Sequence, residues 1–91
     1  MNPTDVDALL GAGALALRAG DASTAVTQFA QVAKTAPNDV NFLLLAEALR
    51  RHGQAVDADR AVAAAQRVSA NLPAAQAAAD GFLGMAGVKA R

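Results

Sequence analysis

Apolar residues recur along this chain at steps of three and four, and no stretch alternates at period two for long enough to make a strand. Val6, Leu9, Leu10, Gly13 and Leu17 mark one face of a first helix, with Thr4 followed by Asp7 as a weak capping box at its start. That helix ends where Arg18 precedes Gly20. The cation suits the negative end of the helix dipole, and the glycine supplies the left-handed turn that closes the last carbonyls. Asp21 then caps a second helix whose face runs Ala25, Val26, Phe29, Val32 and Ala33 and stops before Pro37.

The same order is then repeated. Asn38 or Asp39 caps a third helix carrying Phe42, Leu45, Ala46 and Leu49, which terminates at Arg50, Arg51, His52 and Gly53. A fourth helix runs from about Ala55 through Ala58, Val62, Ala65 and Val68 before Asn71, Leu72 and Pro73 break it. A fifth, from Ala74 to about Ala86, places Ala75, Ala78, Ala79, Phe82 and Ala86 on one stripe. The segment contains Gly81, Gly84 and Gly87, each costing roughly 1 kcal/mol relative to alanine in a helix interior, so its end is expected to fray. Connections of two to four residues make neighbouring helices antiparallel.

Gly20 recurs as Gly53, 33 residues later, and a repeat of that length means stacked helical hairpins. Against the tetratricopeptide pattern W-x2-L-G-x2-Y, then A-x3-F, then P, the first unit offers Leu9, Ala12, Gly13, Ala16, Ala25, Phe29 and Pro37. The second offers Phe42, Leu45, Ala46, Leu49, Ala58, Val62 and Pro73. The chain therefore resembles two tetratricopeptide repeats followed by a capping helix. The resemblance spans nearly all 91 residues as one domain: repeat one at about 5–37, repeat two at about 39–72, and the cap at about 73–88. The unit is shorter than the family's usual length, Ala16 stands where a large aromatic is common, and Pro73 comes late. A generic alanine-rich bundle would explain the periodicities but not the recurrence at fixed lag. The expected fold is all-α, with about five helices in antiparallel hairpins stacked as a short solenoid. Gly13, Ala25, Ala46 and Ala58 are expected where paired helices touch.

Composition narrows function. More than a quarter of the chain is alanine and there is no Trp or Tyr, so helices can approach closely while each side chain buries little area. Eight basic residues balance eight acidic ones, which removes the electrostatic footprint nucleic-acid binding normally needs. Without cysteine there are no disulfides or thiolate metal sites. The longest apolar run, from Ala8 to Leu17, is too short for a membrane span, and no basic segment precedes it as a signal peptide would require, so a cytoplasmic location is the default. Alanine richness is compatible with a bacterial source of high genomic GC content.

The resemblance implies a protein–protein interaction module, not an enzyme, with a concave groove lined by the first helix of each pair. The positions it assigns to that groove are Leu10, Ala14, Leu17 and Arg18 in the first unit and Leu43, Glu47, Arg50 and Arg51 in the second. The subfamily that clamps C-terminal carboxylates places Lys and Asn where Leu10 and Ala14 stand here, so that mode is not expected. An apolar groove with a charged far end suits an amphipathic helix or an extended apolar segment of a partner protein. The alternative occupant is the fifth helix itself or a second copy of the chain. Phe82, Leu83, Met85 and Val88 form a candidate association patch for a homodimer, the ordinary reading being that Phe82 packs on the fourth helix and the rest is tail. Two repeats are fewer than such arrays need alone, which leaves self-association, or further repeats in a longer protein, as the alternative function. His52, the only histidine, has no second His, Cys or paired carboxylates at helical spacing, and its place before Gly53 makes it a helix-terminal residue. No phosphate-binding glycine loop or nucleophile elbow occurs, and no cofactor or metal is expected.

Overall fold

A computed structural model describes residues 5–89. They form five α-helices: α1 Val6–Arg18, α2 Ala22–Thr35, α3 Asp39–Arg51, α4 Ala55–Val68 and α5 Leu72–Met85. No strand occurs among the described residues. α1 packs on α2, α2 on α3 and α3 on α4, while α5 lies against α3; this order is compatible with a stack of helical hairpins.

Local chemistry sets the boundaries. Asp5 caps α1, accepting from the amides of Asp7 at 3.0 Å and Ala8 at 3.4 Å; Thr4, the cap expected from sequence, lies outside the described residues. Asp21 caps α2 through the Thr24 amide at 3.1 Å and also accepts from the Thr24 hydroxyl at 2.6 Å. Asn38, rather than Asp39, caps α3 through the Asn41 amide at 2.9 Å. Asn71 caps α5 through the Ala74 amide, and this helix includes Pro73 in its first turn, where the missing N–H has no intrahelical acceptor to lose. Gln54, at the start of α4, makes no side-chain cap bond.

The 33-residue repeat is visible in three dimensions. Gly20 and Gly53 both have positive φ, 82° and 80°. After α1, the amides of Gly20 and Asp21 donate to the carbonyls of Leu17 and Ala16. After α3, those of Gly53 and Gln54 donate to Arg50 and Leu49, the same two bonds shifted by one unit. Core positions recur as well: Gly13 with Ala46, Ala25 with Ala58 and Val32 with Ala65 are buried at both places.

A third glycine completes the series. Gly87 has φ 86°, and the amides of Gly87 and Val88 donate to Gly84 and Leu83. The end of α5 is therefore not frayed as its glycines suggest. It closes with the same cap as α1 and α3, and Val88 is buried along with Leu83, the apolar pairing that often accompanies this cap.

The core runs continuously through Ala14, Leu17, Phe29, Leu43, Leu44 and Leu83. Phe29 is fully buried, and its ring lies so close to α1 that a Cβ on Gly13 would meet Cε1 at 2.7 Å. Phe42 and Leu45 are only half-buried, whereas Leu43 and Leu44 are enclosed, because α3 has neighbours on three sides and no single stripe describes its buried surface. Ala78, placed on the buried stripe of α5 by periodicity, is exposed; the stripe is Ala75, Ala79 and Leu83. Leu15 is 55% exposed although its equivalent Ala48 is fully buried, since α2 packs on α3 and none of the described helices takes the corresponding place against α1.

Candidate functional site

The first helices of the units, α1 and α3, were expected to leave their common face open. In the structure α5 lies against the α3 part of that face. Leu43 (2% exposed), Leu17 and Ala14 belong to one buried cluster with Ala75, Ala79, Leu83 and Val88. Ala14, Leu17 and Leu43 are therefore core residues rather than groove-lining ones, and Leu10 is partly buried against the same cluster. The physical reason is that small alanines on α5 allow it to approach α3 closely enough to seal the apolar part of the face.

What stays open is the charged end. A cleft of about 420 Å³ runs between α3 and the end of α5, lined by Glu47 and Arg51 on one side and by Asp80, Leu83, Gly84, Val88 and Lys89 on the other. Arg51 organises it. Its Nε donates to Glu47 Oε2 at 2.8 Å, and its Nη2 donates to the Lys89 carbonyl at 2.7 Å, tying the segment after α5 to α3. Arg50 stands further from Glu47, at 3.8 Å. Glu one turn before Arg is the favoured order on a helix, and both arginines also sit at the negative end of the α3 dipole. Asp80 accepts from Gln76 Nε2 at 2.9 Å.

The ends of α1, α3 and α5 come together here. Arg18 is exposed, but its Cδ would lie 3.0 Å from a Cβ on Gly87, so the arginine stem runs over the α5 cap. A smaller hollow of about 180 Å³ between Leu17, Gly20, Ala22 and Arg51 separates the turns after α1 and α3. Asp21, at that turn, is held below the ordinary carboxylate range first by the Thr24 hydroxyl and then by the Thr24 amide, with charge on His52 a lesser cause.

Five of the eight expected groove residues thus keep some exposed surface: Leu10, Arg18, Glu47, Arg50 and Arg51. Of these, Glu47 and Arg51 meet in the cleft. The expected association patch is not a patch. Leu83 and Val88 are buried, Phe82 is half-buried against the core, and Met85 alone stands in solvent, 93% exposed. Sequence reasoning misses Asp80, Gly84 and Lys89 because the end of the chain reads as glycine-rich tail. Aligning Gly87 with Gly20 and Gly53 would place them beside α3. It also misses Asn41, the one buried polar residue among those described, whose Nδ2 donates to the Ala36 carbonyl at 2.9 Å and fixes the linker between α2 and α3.

Among the described residues no three of His, Asp and Glu are grouped to hold a metal, and no helix is long and apolar enough to cross a membrane. Comparison with protein-family models, with curated proteins and with solved structures finds no match.

Proposed function

We propose that this chain is a protein–protein interaction module of tetratricopeptide type that receives a peptide or helix of a partner protein on the α1–α3 side, and that it is not an enzyme. The observation that carries the reading is the charged cleft held open between α3 and α5 by Arg51. It offers acceptors on Glu47 and Asp80 and donors on Arg51 and Lys89 above an apolar floor of Leu83 and Val88. Such a mixture fits a segment that seats one or two apolar side chains and is oriented by charges at the rim. The equivalent caps at Gly20, Gly53 and Gly87 support the repeat assignment.

The test is affinity capture from the cell of origin with the wild type beside a Glu47→Arg, Lys89→Glu variant, which reverses the charge on both sides of the cleft, both checked for unchanged helicity by circular dichroism. The captured protein should disappear from the variant. Equal capture by both would refute a site at this cleft.

A second reading, self-association or a place within a longer array, is favoured by the outer face of α1. Gly11, Ala12 and Leu15 are exposed and uncharged there, on the face that α2 covers in α3. Sedimentation at two concentrations decides it: a monomer throughout, with wild type and Leu15→Glu alike, removes self-association.

A further inference from the structure

We propose that α5 is a displaceable internal occupant of the binding face, and that the partner it yields to is an amphipathic helix carrying small or branched residues at four-residue spacing, as α5 does with Ala75, Ala79 and Leu83. This rests on the interaction-module reading and names its ligand chemistry and its regulation.

The hold on α5 is uneven. α1 to α4 interlock in sequence, but α5 packs substantially on α3 alone. Two of the three residues it buries are alanines, which offer little apolar area, while α3 beneath contributes Leu43. Gly81 and Gly84 sit inside the helix with open space around them, so neither is required by close packing and both favour unwinding. Two polar contacts fasten its ends. Arg51 binds the Lys89 carbonyl at one, and at the other the Ser69 hydroxyl donates to Asp39 Oδ2 at 2.7 Å. The second would remain as a hinge when the first is released. An element with few buried apolar contacts opens first. On opening, it uncovers Leu43 beside Glu47 and Arg51, an apolar surface of α3 with a charged end that accepts another helix in place of α5.

Hydrogen exchange of the full chain tests the opening, and a fluorescein-labelled peptide of residues 72–89 tests the vacated face. In the wild type the α5 amides should exchange at least tenfold faster than those of Leu43–Leu49. Leu83→Asp should accelerate α5 further while leaving α2 and α3 protected, and it should bind the peptide at least tenfold more tightly than the wild type does. Arg51→Ala, which severs the latch together with the Glu47 ion pair within α3, should move α5 exchange in the same direction. Equal exchange of α5 and α3 in the wild type, or loss of protection in all helices with Leu83→Asp, would show α5 to be a structural part of the core. A protected α1–α4 that ignores the peptide would refute the helix-binding face. A partner that binds at Glu47 and Lys89 while α5 stays protected would overturn this proposal and leave the interaction-module reading intact.

Discussion

At the scale of single residues, α1 holds two glycines with opposite reasons for being there. Gly11 has open space where a Cβ would stand, with nothing within 4 Å, so alanine there should only remove backbone freedom from the unfolded chain and stabilise by about 1 kcal/mol. Gly13 gains the same propensity term, but its methyl would press into the fully buried Phe29 ring. Overpacking costs about 1–3 kcal/mol, so Gly13→Ala should be net destabilising. Urea unfolding of the two variants checks this, and stabilisation by both would mean that Phe29 does not sit on α1. Asp21 supplies a pH dependence of known sign. Its folded pKa is depressed by Thr24, so the cap contributes stability above the unfolded pKa and loses it as pH falls through the lower folded value. Asp21→Asn, which can cap without ionising, should reduce the fall in melting temperature below about pH 4, near the ordinary aspartate pKa. An unchanged acid limb would count against the cap. These glycine and cap roles are partly legible in the sequence: neighbouring residue types alone mark Gly13 as a helix contact and Asp21 as a cap. Phe29 as the particular ring above Gly13 requires the packing of α2 on α1.

At the scale of elements, the two hairpins act as controls for each other. Asp21 and Gln54 occupy equivalent places after Gly20 and Gly53, yet Asp21 caps its helix and Gln54 does not. Gln54→Asp should therefore stabilise the chain by about 1 kcal/mol, measured as an upward shift of the urea midpoint at unchanged slope. No gain would show that the start of α4 differs in geometry from that of α2. Helices, termini and hairpin order are readable because each is written locally, in periodicity, caps and glycines. The buried stripe of α3 is not. A helix with one neighbour has one apolar face, but α3 is enclosed by α2, α4 and α5, so Leu43 and Leu44 are buried while Phe42 and Leu45 are half-exposed.

At the scale of the whole molecule, the radius of gyration is 11.7 Å, close to the roughly 12 Å of a compact chain of this length, because α5 is folded back on α3 rather than extending the stack. Leu43 and Leu15 report the consequence. Leu43→Ala should cost about 2–5 kcal/mol as a core truncation, whereas Leu15→Ala, on the open edge, should stay within about 0.5 kcal/mol of wild type. Similar costs for the two, in urea or thermal unfolding, would contradict the placement of α5. By itself the sequence determined the all-helical class, the five helices and the recurrence of one hairpin, since backbone propensity, capping and apolar period act over a few residues. Only the tertiary structure decided that α5 packs on α3 over Leu43, that Arg51 ties Lys89 to α3, and that a charged cleft is what stays open. Those outcomes depend on which surfaces meet across distant parts of the chain, and a local pattern of small and large residues is the same whether a face ends up covered or bare.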